Sequence, residues 1–330
     1  MEKYQVIGIG SALLDITFEV DDKLLSELGF KKGEMQLIDK ARSNEILKKL
    51  KDYPVKISPG GSVSNTVAGV ASLGGSSAFI GKIGNDSHGK LYEEKTNESG
   101  IASFLSKHPS EITGHAITFI TPDFERSFAV HLGASLFFKK EDIIEDLIKK
   151  SKILHLEGYQ LANKELNENI FYSAKIAKEN NLLISLDLSD AGLVKNNLLI
   201  FKEFIRDYVD IVFANEFEAV AFTGKKEKEA LDEISKICKI AIVKLGEKGS
   251  LIKSKDKIYE IPSYSIKIVN TNGAGDMYAA GILYGIANNF DLEKAGKIAS
   301  YSASLVVGKP EARYGEGLRE KMDKFISDSS

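Results

Sequence analysis

Residues 270–281, NTNGAGDMYAAG, place two glycines, an alanine and a carboxylate where an apolar helical run is about to begin. Small residues let a backbone approach another group closely. The N–H groups of a helix's first turn have no partners inside the helix, so Gly273, Ala274 and Gly275 would present donors to an anion. Asp276 falls in the same turn. As an anion ligand it would repel the guest. As a base, it would take a proton from a hydroxyl that attacks the anion, which would then be a phosphoryl group in transfer. The plainer alternative is an aspartate favoured by the helix dipole after a tight turn, and the stretch alone leaves both open.

Four other stretches offer comparable pairs of readings. Gly60-Gly61, followed by Ser62 and Asn65 in SPGGSVSN, would let backbone and amide hydrogen-bond a polyhydroxylated ligand, or would form a capped turn. Asp15, in GIGSALLDITFEV, would accept two hydrogen bonds from a vicinal diol, or is a charge on an edge strand. Asn215 and Glu218, three apart in ANEFEAV, would share a helical face beside a hydrated magnesium, or make a capping-box analogue. Gly246 and Gly249, in KLGEKGS after an apolar run that ends at Lys244, would let a nucleotide lie against backbone, or form a β-turn.

These residues need a scaffold. Segments 152–159, 182–188, 210–215 and 240–246 read as buried strands. Segments 166–181, 198–209 and 228–237 carry apolar residues at helical spacing. Such alternation predicts right-handed βαβ units and a parallel sheet covered on both faces, with glycine turns at the strands' carboxyl ends around one crevice. Residues 4–10 and 76–84 add two strands, and 250–264 reads as a hairpin. Helices follow from Asp276 and over 293–307. Residues 15–20 and 114–134, the latter turning at Pro122-Asp123, read as a few strands with little helix, a small sheet standing off the main layer like a lid. The expectation is one α/β domain over 1–330 with lid segments near 12–57 and 107–133.

Composition narrows the function. The chain has 330 residues, 43% hydrophobic and 28% charged, with a formal net charge of −3, ordinary for a soluble protein and against binding driven by bulk charge to nucleic acid or membrane. Its one cysteine, Cys238, rules out an internal disulfide or a cysteine metal cluster, and the N-terminus lacks the order of a signal peptide, so a cytoplasmic protein is expected. Gly8-Ile9-Gly10 lacks the third glycine of a dinucleotide fingerprint, since Leu13 stands there. GSSAFIGKI is one residue too long for a P-loop, and Lys82 is followed by Ile83 instead of a hydroxyl residue. There is no G-x-S-x-G elbow, and the five histidines show no H-E-x-x-H spacing.

Taken together the motifs resemble the PfkB/ribokinase family of sugar and nucleoside kinases. Residues 60–86, GGSVSNTVAGVASLGGSSAFIGKIGND, are similar to its N-terminal signature, and 270–286, NTNGAGDMYAAGILYGI, to its D-T-x-G-A-G-D signature. NEFE resembles the N-x-x-E magnesium motif and KLGEKG the nucleotide loop. The resemblance runs from about residue 4 to 310. LLDI at 13–16, NEFEA and TNGAGD are most similar to the adenosine-kinase-like branch.

The resemblance implies a ribokinase-like three-layer α/β/α fold with a mostly parallel central sheet and a small β-sheet lid. It implies an ATP- and magnesium-dependent kinase acting on a primary hydroxyl of a sugar or ribonucleoside, adenosine foremost. Asp276 would be the base, with Gly273, Ala274 and Gly275 in the anion hole and Arg126 of ERSF reaching the phosphates. Asp15, Gly60, Gly61 and Asn65 would hold the sugar, while Asn215, Lys244, Gly246 and Gly249 would flank ATP. Glu218 would hold magnesium through water. Asn270 stands where the family has an aspartate that helps shape a monovalent-cation site in several members, which leaves potassium open. Phe18, Phe124 and Phe128 are candidate platforms for a nucleobase. The protein would be a monomer or a homodimer joined through the lid. A second reading keeps fold and sites but drops catalysis, giving a sugar- or nucleoside-binding sensor.

Overall fold

A computed structural model of the protein describes residues 3–123, 125–309, 311–315 and 317–328. Phe124 lies outside the described residues. The strands are β1 (Tyr4–Ile9), β2 (Leu13–Glu19), β3 (Met35–Leu37), β4 (Val55–Pro59), β5 (Ser77–Gly84), β6 (Ala102–His108) and β7 (Gly114–Ile120), then β8 (Arg126–His131), β9 (Ser151–Glu157), β10 (Leu183–Asp187), β11 (Ile211–Asn215), β12 (Ile240–Lys244), β13 (Ser250–Ser254) and β14 (Lys257–Ile261).

Nine of them form one sheet in the order β14-β13-β12-β11-β10-β9-β1-β5-β6. The pairings from β6 to β12 are parallel, and the β13–β14 hairpin closes one edge antiparallel. Period-two alternation explains its burial on both faces. Ile7, Leu154 and Ile184 point into a core shared with the helices Asn167–Glu179 and Leu198–Tyr208, while Val6, Ile153, Phe213 and Ile242 point into a second core. The helices Ser62–Ser72, Ala274–Ala287 and Leu292–Val307 cover that second face.

The other five strands form a small sheet, order β3-β8-β7-β2-β4. It differs from the sequence expectation of strands with little helix. Two helices, Asp22–Glu27 and Lys40–Lys49, pack on one side. Ile16, Phe18, Ile117, Phe119 and Ala129 are buried there with Leu25, Leu28, Phe30, Ile46 and Leu50. Phe18 is therefore core and cannot be a nucleobase platform. Its neighbours in the alternation face the other way.

That second face is fixed by register. Asp15 pairs with Ser58 and Ala116, Ala116 with Val130, and Val130 with Leu37, so these side chains form one row across the sheet. Thr17, Thr118, Phe128 and Met35 form the next row. The face looks back at the large sheet, because Asp15 stands beside the Gly60 turn that starts the Ser62 helix. Among the described residues no helix is long and apolar enough to cross a membrane.

Candidate active site

Gly273 is the N-cap of the Ala274 helix, with φ +76° in the left-handed region. A Cβ there would stand 2.1 Å from the Ala312 carbonyl oxygen, so only glycine fits both the turn and its neighbour. Met277 N–H closes the first hydrogen bond of the turn on Gly273 O at 2.8 Å, and Ala274 N–H donates to Thr271 O at 3.3 Å. The Gly275 and Asp276 N–H groups have no acceptor among the described residues. They are the two donors this helix end offers an anion.

Asp276 does not cap the helix with its side chain. Its Oδ1 accepts from Ser62 Oγ at 2.8 Å and its Oδ2 from Asn65 Nδ2 at 2.9 Å. Burial raises its pKa to about 6, against the pull of those two donors. A carboxylate poised just below neutrality is ionised yet still basic, which suits proton abstraction.

The glycine turn at 60–61 brings the two sheets' chemistry together. Gly61 has φ +87°, and a Cβ on it would meet Ser11 O at 2.3 Å. A Cβ on Gly60 would fall within 2.7 Å of three atoms of the Asp15 carboxyl group. Burial raises Asp15 to about 6; Arg313 and Arg126 oppose the shift and Asp276 adds to it. Arg126 starts β8 on the same face of the small sheet as Asp15, and burial lowers its pKa while Asp15 supports its charge.

On the far side of Asp276, a cleft of about 850 Å³ is lined by Asn215, Lys244, Gly246, Gly249, Ala274 and Gly275. Ile266, Ile268 and Val307 give it an apolar wall. Size and mixed lining suit a nucleotide. Lys244 Nζ lies 2.8 Å from Asp187 Oδ2 and 3.2 Å from where a Gly275 Cβ would be. Burial works against its charge, but Asp187 and Glu218 outweigh it and hold its pKa above the usual lysine value.

Asn215 and Glu218 realise the capping-box alternative. Asn215 N–H and Nδ2 donate to the two Glu218 oxygens at 2.8 and 2.7 Å, and Glu218 N–H donates to Asn215 Oδ1 at 2.8 Å. Burial, reinforced by the Asp187 charge, raises Glu218 to about 7. Among the described residues no three His, Cys, Asp or Glu side chains gather as a metal cage. Asp187, bonded to the cleft residue Lys244, and Glu218, bonded to the cleft residue Asn215, are oxygen donors of the kind preferred by a magnesium ion that keeps its waters and binds phosphates.

Sequence reasoning missed three participants. Asp187 ends β10, and Glu157 ends β9. A carboxylate closing a buried apolar strand was the available signal for both. Glu157 accepts Ser11 N–H at 3.1 Å and Val63 N–H at 3.3 Å, and burial raises it to about 7. Arg313 had no local signal. Its guanidinium reaches Asn65, Ser64 and the Gly60 carbonyl from a loop nearly 250 residues downstream.

Comparison with known proteins agrees with the two-sheet fold. The model of the pfkB family carbohydrate kinases matches residues 34–317. A 5-dehydro-2-deoxygluconokinase of Bacillus subtilis is 27% identical over 283 residues, 82% of this chain and 87% of the relative. Among solved structures, an adenosine kinase from Sinorhizobium meliloti superposes with TM-score 0.91 at 33% identity, covering 98% of this chain and 99% of the other. A probable sugar kinase from Rhizobium etli gives 0.92 at 32%, with the same coverage.

Proposed function

Because the chain belongs to the PfkB family of carbohydrate kinases, phosphotransferases with an alcohol acceptor, we propose that it phosphorylates the 5′-hydroxyl of adenosine or a closely related ribonucleoside. The small sheet's open face carries the choice of nucleoside over sugar. Asp15 stands in a row that runs from Ser58 through Ala116 and Val130 to Leu37, with Phe128 and Met35 in the next row. Leu37 is 66% exposed and Met35 40%, an apolar shelf on the edge strand of the same face, three strand spacings or about 14 Å from the Asp15 carboxylate. A polyhydroxy chain laid there would lose hydrogen bonds. A flat base covering on the order of 100 Å² of apolar surface gains roughly 2–3 kcal/mol at about 25 cal/mol per Å², which is about thirty- to 150-fold in affinity. Phe128 remains the aromatic candidate, half-buried on this face.

In this reading Asp15 holds the ribose diol and Asp276 takes the proton of the 5′-hydroxyl. The oxygen so freed attacks the γ-phosphorus, the bond to the β-phosphate oxygen breaks, and ADP leaves. The Gly275 and Asp276 N–H groups and Lys244 oppose the charge that builds on the moving group. Arg126 closes over it from the small sheet, which acts as a lid and excludes water. Glu218 and Asp187 would hold magnesium through water, and the ion would supply neutralisation of charge on the phosphates. The reading gives potassium no role: Asn270 is buried, and its neutral amide accepts Asn272 N–H at 2.7 Å.

An ADP-release assay over adenosine, ribose, fructose and 5-dehydro-2-deoxygluconate tests the substrate. Adenosine is expected to lead ribose by at least about thirtyfold in kcat/KM, the advantage its base burial supplies. Phe128→Ser and Leu37→Ser should narrow that lead by raising only the adenosine KM. A sugar acid turned over best would overturn the nucleoside assignment. The sensor reading would replace catalysis if nothing on the panel released ADP while adenosine raised the melting temperature.

The pH profile follows from the raised carboxylates. Asp276 and Asp15 titrate at about 6 and Glu157 at about 7, and the base must be ionised to act. The kcat/KM for adenosine should therefore climb with pH through the 6–7 interval and level off by about pH 8, with an apparent value belonging to the coupled group. A profile flat from pH 5 to 8 would contradict the base assignment.

A further inference from the structure

We propose that Arg313 is a positioning residue that fixes the Asn65 side-chain amide in the one orientation able to donate to Asp276, and so sets the basicity of that carboxylate. The inference rests on Asp276 being the base of the reading above, but its first test does not require turnover.

Arg313 Nε donates to Asn65 Oδ1 at 2.8 Å, and Asn65 Nδ2 donates to Asp276 Oδ2 at 2.9 Å. An amide can sit either way round. A guanidinium has only donors and an ionised carboxylate only acceptors, so with one on each side a single orientation satisfies both. If the amide flipped, its oxygen would face the Asp276 carboxylate and its NH₂ would face the Arg313 N–H, and both contacts would be repulsive.

The guanidinium is itself held. Nη2 donates to Ser64 Oγ at 2.8 Å and to Gly60 O at 3.3 Å, and Tyr92 Oη donates to Ser64 Oγ at 2.8 Å. Burial lowers the Arg313 pKa, while Asp15 and Asp276 are both close enough to support its positive charge. A loop far away in sequence thus reaches the base through one amide. The same loop's Ala312 packs on Gly273, so the Arg313 anchor and the anion-binding turn share one contact.

Removing Arg313 takes a positive charge from the neighbourhood of Asp276 and frees the amide to turn. Both effects favour the protonated carboxyl, so the Asp276 pKa must rise. The direct test is the ¹³C-carboxyl NMR titration of Asp276 in aspartate-labelled protein, assigned by its loss in Asp276→Asn. Arg313→Ala should move the midpoint up by roughly 0.5–1 unit. Asn65→Ala should also move it up, and the double variant by less than the two shifts summed, because the part of the arginine's effect that runs through the amide is lost only once.

The kinetic counterpart is an acid limb displaced upward by the same fraction of a unit in Arg313→Ala, so that kcat is lowered about three- to tenfold on that limb. The adenosine KM should change less than kcat. If Arg313→Ala fails to fold, Arg313→Lys decides. It keeps the charge but loses the fork, and its Asp276 midpoint should still rise. An unmoved midpoint in a folded variant, or shifts that simply add in the double variant, would overturn the proposal. Wild-type protein without turnover would remove the kinase reading but leave the titration result standing by itself.

Discussion

Asp276→Asn will lower kcat by about a hundred- to ten-thousandfold while adenosine and ATP still bind within a few-fold of wild type, and the variant will be as stable as the parent or more so. The size of the loss follows from the role. A positioned base contributes about 10²–10⁴, and an amide cannot take a proton at neutral pH. The preserved binding follows from the geometry. Asn65 Nδ2 and Ser62 Oγ are the two donors on the carboxylate. An asparagine can turn its oxygen to Asn65 and its NH₂ to Ser62, whose hydroxyl rotates to accept. The stability forecast comes from linkage. Asp276 ordinarily titrates near 3.8 and in the fold at about 6, so the folded protein holds the extra proton between those values. Stability therefore falls as pH rises through that window, and the full penalty of the ionised carboxylate is present above it. Asparagine escapes the penalty. Its melting-temperature advantage should be largest near pH 8 and vanish near pH 4. Near-normal turnover in Asp276→Asn, or a stability deficit that grows toward alkaline pH, would contradict the assignment.

The alternating half of the fold was legible because β9 to β12 are short apolar runs closed by polar residues, and the helices between them keep an apolar stripe. Such segments declare themselves without tertiary information. The small sheet did not. Met35-Gln36-Leu37 is too short for a period to register, and Val55–Pro59 begins with exposed residues and ends in proline, as edge strands do. Alternation divides the small sheet's side chains into two faces but cannot say which face helices will cover. Phe18 was misjudged as a platform for that reason. Asn215 and Glu218 show a different limit, since one spacing serves both a capping box and a metal site. Glycine turns at 60–61 and 273–275 were visible as composition, whereas Arg313 and Asp187 acquire meaning only through partners more than fifty residues away.

Gly273→Ala will lower kcat/KM by about a hundredfold or more and also lower the melting temperature, unlike the base variant. An alanine meets two obstacles. A non-glycine residue at φ +76° carries strain of about 1–3 kcal/mol. The added methyl would also stand 2.1 Å from Ala312 O, which is backbone and cannot rotate away. The chain must either unwind the turn or push the 311–315 loop outward. Unwinding misdirects the Gly275 and Asp276 N–H groups, and a displacement of about 1 Å in such a site is worth around a hundredfold. Pushing the loop drags Arg313, the next residue after Ala312, off the Asn65 amide. The two routes are separable. Loss of the anion donors weakens ATP binding and leaves the Asp276 midpoint near 6, while loss of the arginine contact raises it. Gly275→Ala is the control. Its methyl would meet only the tip of the flexible Lys244 side chain at 3.2 Å, so the variant should keep its melting temperature and lose activity less severely. Equal behaviour of the two alanine variants would mean that the left-handed turn at Gly273 does not shape the site.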